Sequence, residues 1–301
     1  MAGMRIAVTG ASGLVGSALA HDLRRDGHHV VRLVRRAPRT DHEVEWDPHR
    51  QWVDAPGLIG CQAVVHLAGA GIADRRWSPA RKRELRDSRV LGTAAIAEAV
   101  ASLDTPPDVL VSGSAIGIYG DTADRRVDED TPPGHGFLAD LCQEWEEAAE
   151  PAVEAGIRTA YARTGLGVAR AGGAWGRMFP LFRLGLGGRL GSGDQYWSFI
   201  ALRDEVAALR HIIATESLVG PVNLTAPNPV TNPEVTAAKG RVLGRPTALA
   251  VPRPALRLAL GELSSDVLGS QRVIPQRLLD SGFSFDHPTI DGAIEAAWSD
   301  R

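Results

Sequence analysis

The stretch VTGASGLVG, residues 8–16, decides the fold. It sets Gly10, Gly13 and Gly16 at three-residue spacing directly after the apolar run at residues 5–9, which reads as a buried strand. Leu14, Ala18, Leu19 and Leu23 then recur near helical spacing, and Gly27 stands where a helix stops. In such a strand–turn–helix unit the first glycine allows the tight turn. The second lets a pyrophosphate approach the backbone, and the third lets helix and strand pack closely. The helix start offers free N–H groups and a positive dipole end to the phosphates. Gly10, Ser12, Gly13, Leu14, Val15 and Gly16 are therefore the expected nucleotide contacts. The spacing is G-x-x-G-x-x-G rather than the commoner G-x-G-x-x-G.

Further strands are expected at 29–34, 61–67, 108–112 and 158–163. A long helix opens at Ser78-Pro79, with Leu85, Leu91, Ile96 and Val100 near one stripe, and another lies around 144–154. Strands alternating with helices imply an α/β fold, a doubly wound parallel sheet of Rossmann type. Eight glycines fall between residues 172 and 193, and a loop of that composition is functional or mobile. Thr231-Asn232-Pro233-Glu234 carries a capping-box pattern for a helix reaching Gly244. Residues 246–254 read as a linker or edge segment, and the remainder as mostly helical, with a short helix at 275–279 ended by Gly282. The expected division is a nucleotide-binding region over 1–240, with substrate-binding segments interleaved at about 171–240, and a small C-terminal piece over 241–301.

The end of the second strand selects the nucleotide. An NAD site places Asp or Glu there to hold the ribose 2′-hydroxyl. Here the strand ends Val34-Arg35-Arg36. A carboxylate would repel a 2′-phosphate, whereas a guanidinium grips it through paired hydrogen bonds. The expected cofactor is NADP(H), with Asp47, next to Trp46 after the third strand, a further candidate contact at the adenine.

Composition narrows the rest. The chain has 301 residues and a net charge of −3, which gives no basic excess for nucleic acid. No apolar run approaches the length of a membrane helix, and MAGMR leads straight into a strand, so no leader and a cytoplasmic location are expected. Cys61 and Cys142 read as buried small residues, and no Cys/His spacing suggests a metal. The expected partner is a small-molecule substrate, with no nucleic acid and no membrane, and the reading allows a homodimer.

With these residues placed, the chain resembles the extended short-chain dehydrogenase/reductases, the sugar-nucleotide epimerase and dehydratase group. The matching segments are TGASGLVG (9–16), HLAGAGI (66–72), SRVLGT (88–93), SGSAIGIYGD (112–121) and ARTGLGV (162–168). GGRLGSGDQYWSFIALRDEV (187–206), NLTAPNPVTNPEV (223–235) and GSQRVIPQRLLDSGFSF (269–285) resemble the branch of epimerase family proteins with a short C-terminal domain of unknown function. The resemblance implies that Leu67, Ala68, Gly69, Glu84, Arg89, Ser112 and Gly167 also serve the cofactor, and that Ser114 takes the hydroxyl position that bonds the reacting oxygen.

That family's chemistry uses a Tyr-x-x-x-Lys pair. A tyrosine ionises near 10 and needs a nearby cation to act as a base at neutral pH. This chain lacks the pair. Its tyrosines are Tyr119, Tyr161 and Tyr196, and neither of its lysines, Lys82 or Lys239, follows one by four positions. Alignment through Glu146 puts Leu138 and Cys142 at the two places. Ser114 and Tyr119 remain as catalytic candidates. His66, Asp121 and Glu129 read as buried or solvated side chains. Arg189, Gln195 and Trp197, with Arg183 and Tyr196, form the candidate substrate set; the competing reading makes this stretch a structural cover over the sheet. Two functions follow. One is an NADP(H)-dependent oxidoreductase or epimerase-like enzyme acting on a carbonyl, hydroxyl or sugar-nucleotide substrate. The other is a non-catalytic NADP(H)-binding sensor.

Overall fold

Strand β1 (Arg5–Thr9) is apolar on both faces: Ile6 and Val8 point to one side of the sheet and Ala7 to the other, all buried. That pattern belongs to a parallel strand covered by helices on both sides. The computed structural model describes residues 3–299; the first two residues of MAGMR and the last two of the chain lie outside the described residues.

From β1 the chain runs through α1 (Leu14–Arg25), β2 (His29–Val34), β3 (Glu43–Asp47), β4 (Trp52–Val53), β5 (Ala63–His66), α2 (Pro79–Ala101) and β6 (Val109–Ala115). There follow β7 (Arg126–Val127), α3 (Phe137–Glu147), α4 (Glu150–Glu154), β8 (Arg158–Thr164), β9 (Leu166–Val168), α5 (Gly173–Arg183), β10 (Gly188–Leu190), β11 (Tyr196–Trp197) and β12 (Phe199–Ala201). The last part comprises α6 (Leu202–Ala214), β13 (Gly220–Leu224), β14 (Val230–Thr231), α7 (Asn232–Leu243), β15 (Leu249–Val251), α8 (Arg253–Leu260), α9 (Leu263–Leu268), β16 (Arg272–Val273), α10 (Gln276–Asp280) and α11 (Ile290–Ser299).

Eight strands form the main sheet in the order β13-β8-β6-β5-β1-β2-β3-β4, parallel except at the β3–β4 edge. The order reverses between β1 and β5, and such a switch point opens a crevice at the carboxyl ends of the strands. Leu19 and Leu23 of α1 and Leu209 and Ile212 of α6 cover one face. Ile96 and Val100 of α2 and Ala152 of α4 cover the other. A third core joins Trp175 and Phe179 of α5, Trp197, Phe199, Val235 and Ala238 of α7, and Ile290 and Ile294 of α11.

Local chemistry fixes the helix starts. Ser78 caps α2 by accepting from the Arg81 amide at 3.2 Å, with Pro79 in the first turn. The capping box at Thr231 and Glu234 opens α7, which ends at left-handed Gly244. The structure departs from the sequence reading where glycine and proline misled it. Residues 173–183 are helical despite Gly176 and an internal Pro180, because Trp175, Phe179 and Phe182 give the segment a buried stripe. The helix expected over 144–154 is two, broken between Glu147 and Glu150. Trp46 and Asp47 close the third strand rather than follow it.

The switch point is knotted by Thr9. Its Oγ1 accepts from the amides of Leu67 (3.0 Å) and Ala68 (3.1 Å) and lies 2.9 Å from His66 Nδ1. With both amides donating inward, the hydroxyl proton goes to Nδ1 and the ring proton to Nε2. Burial brings His66 down to about 3, so the ring is neutral at physiological pH. Thr9→Val leaves two amides and one ring nitrogen without a partner. It is expected to cost about 3 kcal/mol in urea unfolding, and Thr9→Ser much less; equal costs would contradict this reading.

Candidate functional site

A groove of about 1260 Å³ opens along the carboxyl ends of β1, β2, β3 and β5. Its floor is the glycine turn. Gly10 has φ +64°, and a Cβ there would lie 2.8 Å from the Leu67 carbonyl oxygen. A Cβ on Gly16 would overlap the Gly10 carbonyl. Neither position admits a side chain, so the β1–α1 turn lies tight against β5. The Gly13 amide donates to Gly10 O at 2.8 Å, and Gly13 caps α1 without any side-chain acceptor. The first-turn amides of α1 are thus left for an external anion. Ser12 is exposed on this floor, while Leu14 borders a separate cavity and Val15 packs against the core.

Val34, Arg35 and Arg36 form one wall, but the two arginines differ. Arg36 is locked in a bidentate pair with Glu43, both contacts at 2.8 Å. Glu43 also accepts from Arg32 (2.7 Å) and the Arg39 amide (2.8 Å). Hydrogen bonds from Arg36 and Arg39 bring it down to about 2. Arg35 is exposed and makes no hydrogen bond or ion pair among the described residues, so of these two arginines it is the one whose guanidinium is available to a ligand. Asp47 accepts from the amides of His49 (3.0 Å) and Arg50 (3.4 Å), and Trp46 is buried edge-on to His66 at 5.8 Å.

Leu67, Ala68, Gly69 and Glu84 line the opposite wall. Glu84 pairs with Arg81 at 2.7 Å, and Arg81 also donates to the Gly71 carbonyl. Arg89 lies beneath Gly69, its Cζ 3.3 Å from where a Cβ would stand. It donates to the Leu85 carbonyl at 3.1 Å and lies 5.0 Å from the Trp145 ring; burial pulls it down to about 10. Ser112 is wholly buried in β6, with its hydroxyl on Gly113 O at 3.3 Å, and is not among the residues lining the groove. Gly167 sits in β9, backed by Glu205 Oε2, 3.2 Å from its Cβ position.

The two catalytic candidates belong to a buried polar chain that the sequence did not reveal. Ser114 donates to Glu146 Oε1 at 2.6 Å. Arg163 donates to both Glu146 oxygens at 2.8 Å and to the Tyr119 hydroxyl at 2.9 Å. Tyr119 donates to Asn223 Oδ1 at 2.8 Å, and Asn223 donates from its amide to Glu129 (2.9 Å) and from Nδ2 to the Ile274 carbonyl (3.0 Å). Tyr119 is 2% exposed, and burial pushes its hydroxyl up to about 12. That burial and pairing do not favour its expected role as a proton shuttle. The Ser114 hydroxyl is turned into the same chain. Cys142, at the place of the missing lysine, is buried and pushed up to about 12, so it remains a thiol. Leu138 packs over Gly117. Charged residues inside buried strands, Arg163 above all, are the signal that sequence reading passed over.

The expected substrate set divides. Arg189 is exposed, 3.3 Å from Ser192 O. Gln195 is buried and donates to Leu190 O at 3.1 Å, and Trp197 belongs to the third core. Arg183 lies 5.8 Å from Trp298, and Arg272 stacks on Tyr196 at 4.5 Å. Both cysteines are buried and free, and no metal-binding cluster occurs among the described residues. No helix there is long and apolar enough to cross a membrane.

A fold with a parallel sheet reversing at β1, a side-chain-free turn and an uncapped helix start defines a Rossmann-type nucleotide-binding protein. A model of the NAD dependent epimerase/dehydratase family matches residues 6–140, and one for a domain of unknown function matches 251–297. The epimerase family protein Mb2239 of Mycobacterium bovis is 50% identical over 295 residues, covering 98% of this chain and 97% of that protein. The structure of the human epimerase family protein SDR39U1, solved with NADPH, superposes with a TM-score of 0.91 at 31% identity, over 98% of this chain and 100% of that one. A nucleoside-diphosphate sugar epimerase from Corynebacterium glutamicum gives a TM-score of 0.81 at 35% identity, over 97% of this chain and 57% of that one. The chain belongs to the NAD dependent epimerase/dehydratase family, in the branch of epimerase family proteins with the short C-terminal domain.

Tyr119→Phe removes one acceptor for Arg163 and one donor to Asn223. It is expected to lower stability by about 2 kcal/mol in urea unfolding while leaving nucleotide affinity unchanged; lost affinity with intact stability would restore Tyr119 to the site.

Proposed function

We propose that the chain binds NADP(H) in the groove, with Arg35 on the 2′-phosphate and the amides at the start of α1 on the pyrophosphate. The supporting observation is the pairing of a cradle that a Cβ would fill with an unpaired guanidinium at the tip of β2. Glu43, the nearest buried carboxylate, is already neutralised by Arg32 and Arg36, so it does not oppose a phosphate. The human relative solved with NADPH supports the same choice.

When bound, the cofactor supplies or accepts hydride at nicotinamide C4. The substrate is a small carbonyl, hydroxyl or sugar-nucleotide compound. Residues 1–240 would form the cofactor region with its substrate segments, and 241–301 the C-terminal piece. Lys82, held by Glu262 and lying 4.8 Å from the Phe137 ring, joins these two parts. Gly69 and Gly71 keep the nearby wall open, and Arg89 beneath Gly69 supplies fixed positive charge.

A second reading is favoured by one observation: Ser114, Tyr119 and Cys142 are all withdrawn from the groove. A protein that keeps the cradle and packs away the proton-transfer positions suits a sensor of cofactor state, read by a partner. Following nicotinamide absorbance with a panel of carbonyl and sugar-nucleotide compounds separates the two. Turnover of any compound supports the enzyme, and tight NADPH binding with no turnover supports the sensor. For the cofactor itself, Arg35→Ala is expected to weaken NADPH about tenfold or more and to leave NADH nearly unchanged in calorimetric titration. Equal losses would remove Arg35 from the 2′-phosphate site.

A further inference from the structure

Glu205 is the buried carboxyl for which neither the fold nor the groove gives a use. It lies in the first turn of α6, is 2% exposed, and its Oε2 has no hydrogen-bond partner among the described residues. That oxygen faces Gly167, 3.2 Å from where a Cβ would stand, so only the bare glycine backbone closes it off on that side. A buried carboxylate with one oxygen unsatisfied is costly unless the group is neutral or an external partner completes it.

The charged groups on elements packed around α6 are engaged elsewhere or, like His21 and Arg24 of α1, exposed to solvent. From β8, Arg163 is paired with Glu146, and Arg158 donates to carbonyls at the far end of α6. From α1, Asp22 pairs with Arg210. β6, β9 and β12 contribute no charged side chain. On α6 itself, Asp204 accepts the amides of Asp286 and His287. Burial raises Glu205 to about 7, opposed only by a hydrogen bond from the Thr164 side chain.

Gly167 follows the carboxyl end of β8, on the side of the switch point opposite β2 and Arg35. A dinucleotide laid across the crevice with its 2′-phosphate at Arg35 directs its other end toward β6 and β8. We infer that Glu205 is a specificity-determining carboxyl behind Gly167 that distinguishes oxidised from reduced cofactor by charge: the cationic ring of NADP+ favours its ionised form, and NADPH does not. This rests on the NADP(H) reading above.

The proton balance sets the sign. Below neutrality the free protein carries a protonated Glu205. Binding of NADP+ then releases that proton to solvent, and binding of NADPH does not. NADP+ affinity therefore rises with pH relative to NADPH, and the difference levels off above the group's own titration. A unit charge about 12 Å away, with an effective dielectric of about 20, favours the ionised carboxyl by about tenfold. That gives NADP+ a gain of about fivefold on NADPH between pH 6 and pH 8. Titration of the 2′-phosphate is common to both forms and cancels in their ratio.

The test is fluorescence titration of the full chain with NADPH, and with NADP+ in competition, at intervals from pH 6 to pH 8. The wild type should show the fivefold change in the affinity ratio, and Glu205→Gln a flat one. Should Glu205→Gln not fold, calorimetry of the wild type in two buffers of different ionisation heat reads the proton directly. Extra release with NADP+ supports the inference, and equal release with both forms overturns it. A flat wild-type ratio, or a ratio that still changes in Glu205→Gln, also overturns it while leaving cofactor binding intact. Failure of either form to bind overturns the cofactor reading instead.

Discussion

The closeness of β1 and β5 at their carboxyl ends is the constraint on which the structure depends. Gly10 can approach the Leu67 carbonyl because it has no Cβ and adopts a positive φ. Thr9 fixes that approach by bonding three groups of the neighbouring strand at once. The turn then delivers α1 with its first amides free, and the reversal of strand order opens the groove in front of them. Loosening this junction would cost the fold and the anion cradle together, because the same atoms make both.

Around that junction the protein treats charge in two ways. At the tip of β2, Glu43 gathers Arg32 and Arg36 and leaves Arg35 free, so a cluster of arginines becomes a defined wall with one available cation. Beneath β6 and β8, the chain Ser114–Glu146–Arg163–Tyr119–Asn223–Glu129 consumes every polar position from which proton transfer was expected. Isolated buried charges are costly and networks satisfy them. Ile274 and Arg277 from the C-terminal segment complete the chain at its far end. The C-terminal piece thereby takes part in holding the region next to β6 in place.

The fold was legible because its signals are local: apolar runs ending in glycine, helical stripes and caps at Ser78 and Thr231. The two-residue strand at 52–53 carried too little periodicity. The α5 helix was hidden by glycines and Pro180, whose propensity is overridden by packing of Trp175 and Phe179. At the site, the side-chain-free glycine turn was readable because its geometry is set within one turn of sequence. The roles of Arg36, Ser114 and Tyr119 were not. Each depends on a partner many residues away: Glu146 is 32 positions from Ser114, and Asn223 is 104 from Tyr119. Sequence spacing does not encode such pairs, and only the sheet register brings them together.

The account rests on a phosphorylated dinucleotide lying across the switch point, and a crystal of the full chain grown with NADPH tests that most directly. The account predicts difference density with the pyrophosphate on the amides that follow Gly13 and the 2′-phosphate against the Arg35 guanidinium. Ordered cofactor whose 2′-phosphate lies away from Arg35, or a groove free of density at saturating NADPH, would contradict it.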